Sequence, residues 1–322
     1  MNPTQVLRTG VLVLTIHPFL GFLAAQGIGA MQYIPLREKP HKAKLEMTTG
    51  WPSLCTEDHV YTFETAREGL SPIYKYFGYA FDRKAGTVAA VRNMGLPEVK
   101  NIAPVESFFI AGDRPAYVQR TWDKDAGEVG LSAQLLDPST LLPDGDPVRI
   151  AKIPLDPKGY VHTLSLGVEV LPSPDGTKLL FCYDRVQSGG MQVVMLWVTD
   201  TKLQPVWSGM YKVPTQALGY QRDVLFDDAG RVYLKVNAIL LDGDDVKVRS
   251  DGTQKVKVKA NYANKRTHTW FRMHEKDYRM WDGVLPDGRV PESLGMALSN
   301  GGLSLGGFVE EDGAWEWVTL RL

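Results

Sequence analysis

Short runs along this chain set large apolar or aromatic residues against smaller or polar ones. They are "HVYTFET" from His59, "RPAYVQRT" from Arg114, "KLLFCYDR" from Lys178, "RVYLKVNA" from Arg231 and "GLSLGGFVE" from Gly302. A period of two is the mark of a half-buried strand. Turn-like residues precede three of them: "AGD" from Ala111, "PDG" from Pro174 and "DDAG" from Asp227. Such residues supply the positive-φ positions and side-chain acceptors that tight turns need. From His59 to Gly302 the runs recur at a nearly even interval.

A second motif keeps the same beat: a strand, a turn carrying Asp or Lys, and another strand closed by proline. It occurs at "YAFDRKAGTVAAVRNMGLP" from Tyr79, "AQLLDPSTLLPDGDPVRIAKIPL" from Ala133, "LWVTDTKLQPVWSGMYKVP" from Leu196 and "WFRMHEKDYRMWDGVLPDGRVP" from Trp270. Asp82, Asp137 and Asp200 mark successive copies of its turn. Proline is tolerated at strand ends. Self-similarity at this spacing, with three to four strands per unit, predicts an all-β fold. The expected form is a β-propeller of five blades, each of about 50–70 residues. A β-sandwich is the competing fold, and its turns are not expected to keep one spacing. Four units are complete and a fifth ends early at "WEWVTLRL". The strand-like "MQYIPL", Met31–Leu36, is positioned to close the ring as a last outer strand.

The N-terminal segment breaks the pattern. Arg8 precedes the apolar run "TGVLVLTIHPFLGFLAA", followed by small residues around Ala25 and Gly27. That order is the signature of a cleaved secretory signal peptide. The expected organisation is a signal peptide at 1–26, an N-terminal segment at 27–46 and the propeller at 47–322. No later stretch is long and apolar enough to span a bilayer as a helix. The expected location is therefore the periplasm, the outer membrane or the cell surface.

Composition narrows the chemistry. A net charge of −1 in 322 residues argues against nucleic acid as partner. Cys55 and Cys182, far apart in the chain and outside any CxxC, read as buried free thiols. No zinc-ligand spacing, GxSxG, HExxH or P-loop occurs, so neither a metal nor a cofactor is implied. His59, His162, His268 and His274 fall in different units without metal-ligand spacing. The acidic loop "LDGDDVKVRSDG", Leu241–Gly252, lacks the calcium-loop order and reads as a hairpin tip.

Three features could carry function. "PVESFF", "GVEVLPS" and "QRDVLFD" fit the innermost strand of successive blades and would bring Glu106, Glu169 and Asp223 toward the central channel. Convergent carboxylates suit glycoside cleavage; equally, they suit ion pairs in a wet channel. The strip "KVKVKANYANKR" puts Lys255, Lys257, Lys259, Lys265 and Arg266 on a cationic face. This is either an interaction site for anionic lipid, glycan or an acidic partner, or an edge strand guarded by lysines. Trp281, Trp315 and Trp317 are either interblade core or a stacking surface for sugar rings.

The stretches Val105–Leu155, "SPDGTKLLFCYD" and "VTDTKLQPVWS" resemble exported β-propeller-like proteins of Bacteroidota, a likeness of fold motifs that lends no catalytic residue. With the signal peptide, the resemblance implies a non-enzymatic binding or scaffold module of the cell envelope. Its partner would be another envelope protein in an outer-membrane or secretion-related assembly. The alternative is a carbohydrate-binding or glycoside-cleaving propeller that uses the channel carboxylates.

Overall fold

In the computed structural model the described residues are 46–50, 53–68, 74–94, 105–123, 128–154, 167–186, 191–214, 217–240, 246–248, 254–256, 266–282, 289, 293–299, 302–311 and 314–321. The signal-peptide segment and Met31–Leu36 lie outside them, as does most of the Leu241–Gly252 loop. All of the described strands belong to the compact unit Leu45–Leu322. Among the described residues there is no helix, and so none long and apolar enough to cross a membrane.

The described strands form five antiparallel sheets in chain order and one separate two-stranded hairpin. In the first, β1 (Glu46–Gly50) and β2 (Leu54–Cys55) lie on the same edge of β3 (His59–Glu68), followed by β4 (Tyr74–Asp82) and β5 (Thr87–Asn93). Gly50 faces Glu64 and Leu54 faces Tyr61, so β1 and β2 together serve as the first strand of this sheet, their registers on β3 differing by one residue. The second sheet is β6 (Val105–Ala111), β7 (Arg114–Asp123), β8 (Glu128–Leu135) and β9 (Val148–Pro154). The third is β10 (Glu169–Pro172), β11 (Lys178–Val186), β12 (Met191–Asp200) and β13 (Pro205–Pro214).

The fourth sheet starts with β14 (Ala217–Phe226) and β15 (Val232–Leu240). A two-stranded hairpin, β16 (Val246–Val248) with β17 (Gln254–Val256), is inserted before β18 (Arg266–His274) and β19 (Asp277–Asp282) complete it. The fifth sheet has three strands, β20 (Ser293–Ser299), β21 (Gly302–Glu311) and β22 (Ala314–Arg321). Each of the five alternating runs identified in the sequence is the strand after the first in its sheet. Every strand–turn–strand motif is the third and fourth.

Alternation explains how the sheets stack. Along β11, Leu179, Phe181 and Tyr183 enter a core with Phe109, Val118, Leu131 and Ile153 of the second sheet. Between them, Leu180 and Cys182 enter another with Val232, Leu234 and Phe271 of the fourth. A strand buried on both faces reads as a continuous apolar run, which is why "LLFCY" lacks polar gaps. Tyr61, Phe63 and Tyr76 join Phe108, Tyr117 and Leu141 between the first two sheets. Tyr233 and Trp270 join Leu303 and Leu305 between the last two. The first strands follow one another side by side, β2 next to β6, β6 to β10, β10 to β14 and β14 to β20. The architecture is propeller-like. Among the described residues no core cluster joins the fifth sheet to the first.

The repeated Asp has a local cause. Asp82 Oδ1 accepts from the N–H groups of Lys84 and Ala85, both at 2.8 Å. Asp137 Oδ1 accepts from Ser139 and Thr140 at 3.1 and 2.8 Å, and Asp200 Oδ1 from Lys202 and Gln204, both at 2.8 Å. Each carboxylate thus organises the turn between third and fourth strands, as Asx-type turns do. The left-handed residue that follows is Gly86 in the first sheet but Leu141 and Leu203 in the next two. Both leucines are buried in the core, which offsets the backbone strain.

Both cysteines are free. Cys182 is buried as expected, but Cys55 is exposed, because β2 is a short edge strand.

Candidate functional site

Register defines the site. In the third sheet the hairpin's closing pair is Pro172 opposite Leu179, and three pairs further on Glu169 faces Cys182. In the fourth the closing pair is Phe226 opposite Val232, and three pairs further on Asp223 faces Lys235. Glu169 and Asp223 therefore hold equivalent places on β10 and β14, two first strands that lie side by side. Both are exposed. Glu106 sits on β6, the next first strand along, at a register shift between Val105 and Ser107.

The three acids differ in surroundings. Glu106 has a side chain with no solvent exposure, and its Oε1 lies 3.1 Å from Nε of Arg120 on β7, itself 7% exposed. Its Oε2 accepts the backbone N–H of Gly167, just before β10, at 3.2 Å. Glu106 is thus a tie between the second and third sheets, with its side chain enclosed. Asp223 is half-exposed and forms an ion pair through Oδ2 with Nζ of Lys235, which is only 5% exposed. Arg120 and Lys235 are the residues that reading the sequence missed. Lys235 did leave a signal: it is the one charged residue among the apolar positions of "VYLKV".

The aromatic candidates separate. Trp281 faces Trp270 across β18 and β19 and packs, partly buried, on the core between the fourth and fifth sheets. Trp315 and Trp317 are 59% and 57% exposed on β22. Trp317 meets Phe308 edge-on at 4.8 Å between ring centroids. Of the cationic strip, Lys255 belongs to β17 and Arg266 opens β18 as backbone only. Lys257, Lys259, Lys265 and the side chains of the whole strip lie outside the described residues. Among the described residues, no group of three or more His, Cys, Asp and Glu is placed to hold a metal ion.

No protein-family model matches the sequence, and no curated protein matches it. Solved structures do resemble the chain. An α-L-arabinofuranosidase from Lactobacillus brevis is 12% identical over 73% of this chain and 72% of its own, with a TM-score of 0.36. An α-L-arabinanase from Penicillium chrysogenum, complexed with arabinobiose, is 11% identical over 80% and 77%, with a TM-score of 0.37. An endo-arabinase from Bacteroides thetaiotaomicron is 14% identical over 58% and 68%, with a TM-score of 0.34.

At these identities the likeness is one of fold. It does not extend to the Bacteroidota proteins named above as a family. The expectation of a non-enzymatic envelope scaffold is corrected: the similar structures are mainly arabinofuranosidases and arabinanases. The scaffold reading leaned on the exported-protein resemblance, which carried fold motifs alone.

Proposed function

We propose that this chain is a carbohydrate-binding or glycoside-cleaving propeller of five blades, with its sugar site on the first strands around Glu169 and Asp223. One observation carries the reading: the two acids occupy equivalent register positions on adjacent first strands, both open to solvent. Carboxylates presented from neighbouring strands can accept hydrogen bonds from vicinal sugar hydroxyls. Two carboxyl groups flanking a glycosidic bond are also the minimum for its hydrolysis, one giving a proton and one acting as base or nucleophile. Glu106, enclosed by Arg120 and Gly167, holds the neighbouring strand in place. The reading includes export through a leader at 1–26, which brings the mature protein to where polysaccharide is met.

The test titrates the protein with neutral arabino-, xylo-, gluco- and manno-oligosaccharides by calorimetry, with release of reducing ends followed in parallel. At least one series is expected to bind. Glu169→Gln and Asp223→Asn should each weaken that binding about tenfold or more, the scale of a lost charged hydrogen bond. Unchanged affinity in both variants, or no binding of any series, contradicts the reading. Release of reducing ends separates a glycosidase from a binding protein.

A further inference from the structure

Resting on the sugar-site reading above, we propose that Lys235 is a positioning residue for Asp223, fixing the orientation in which that carboxylate meets the sugar. Lys235 stands where the third sheet has Cys182, a buried apolar position opposite the first-strand acid. Its neighbours on the same face are Tyr233, two positions back on β15, and Trp270, its partner across β15 and β18. Both belong to the core between the fourth and fifth sheets. The ammonium is therefore taken out of water along with its stem, while the carboxylate it reaches remains half-exposed.

That asymmetry separates the pair from an ordinary surface salt bridge. Two exposed partners lose side-chain entropy to hold one geometry and gain little. Here the cation's rotamer is set by the core around it, so the carboxylate is anchored from beneath without being covered. Stability alone does not explain the choice, because an apolar side chain at such a position commonly serves as well or better. A fixed, accessible acid is what a binding or catalytic site requires, and its support belongs on a rigid element. Glu106 shows the opposite arrangement, with acid and cation both buried and nothing left to present.

The test compares wild type with Lys235→Met and Lys235→Arg. It uses the tightest-binding oligosaccharide of the four neutral series, together with a thermal melt and a crystal structure of each. Lys235→Met should bind at least about tenfold more weakly, the scale on which outer-shell partners of metal ligands act. Its melting temperature should be equal or higher. Lys235→Arg, which keeps the charge, should recover part of the affinity. The Asp223 carboxylate should hold one rotamer in wild type and several in Lys235→Met. Wild-type affinity in Lys235→Met, or a single unchanged Asp223 rotamer there, overturns the proposal. If no oligosaccharide binds wild type, the sugar reading fails at that first step, and the Asp223 rotamers still decide the role of Lys235.

Discussion

The indole N–H of Trp207 donates to the carbonyl oxygen of Gly230 across 3.0 Å, joining the outer strand of the third sheet to the first turn of the fourth. The turns that precede the runs at Lys178 and Arg231 also meet there. The N–H of Asp175 donates to Asp228 Oδ1 at 2.8 Å, and Lys178 Nζ to the Asp228 carbonyl at 2.7 Å. "SPDGTK" and "FDDAGR" are thus both a repeat and an interface.

Trp207→Phe keeps most of the ring's burial but leaves the Gly230 carbonyl without its donor. The expected loss is about 1–3 kcal/mol, the cost of an unsatisfied buried acceptor plus a small void. Urea unfolding of the two proteins measures it, and a loss near zero would mean that water replaces the indole.

Removing one half of the Glu106–Arg120 pair should be costly. Glu106→Leu leaves a guanidinium buried without its anion, for about 3–5 kcal/mol. Glu106→Leu combined with Arg120→Met should recover most of that, because an apolar pair of similar volume avoids the desolvation. The double-mutant cycle in denaturant unfolding checks both halves.

Acid should loosen the first turn of the third sheet. Hydrogen bonds from the Ser173 hydroxyl and from Thr177 hold the Asp175 carboxyl down at about 2. Its unfolded value is about 4, so the unfolded chain binds more protons between the two, and stability falls as pH drops through that window. Asp175→Asn should be less stable than wild type at neutral pH. The gap should close between about pH 4 and about pH 2, as read from melts at each pH.

Much of the fold was legible because each unit states it twice, once in the alternating strand and once in the Asp turn. Leu179 to Tyr183 could be assigned to a strand from apolarity alone. What could not be read was which way Glu106 faces. The slip between Val105 and Ser107 turns it toward Arg120, and a register shift of a single position leaves no trace in a pattern of period two. Lys235 was visible as a charge in an apolar run, but its partner Asp223 lies across a turn on the preceding strand, which only the pairing reveals. Trp281 and Trp317 look alike in sequence. Their difference comes from the fifth sheet, which covers the first and leaves the second on its outer strand.

Two glycines should respond differently to the same substitution. A Cβ at Gly209 would stand 2.6 Å from the Tyr211 hydroxyl, and one at Gly306 would stand 2.6 Å from the Trp317 ring. Tyr211 is buried and donates to the Glu275 carbonyl at 2.8 Å, so it cannot yield cheaply. Gly209→Ala is expected to cost about 1–3 kcal/mol. Trp317 is exposed and can swing away, so Gly306→Ala should cost less than about 0.5 kcal/mol while shifting tryptophan emission. Equal costs in thermal melts would contradict this.

The most direct measurement is a crystal structure of the protein with the oligosaccharide that binds it best. The account predicts a sugar ring with hydroxyls within hydrogen-bonding distance of both Glu169 and Asp223, and Lys235 still behind the latter. A sugar bound elsewhere, such as on the Phe308, Trp315 and Trp317 face, with both carboxylates untouched, would contradict it.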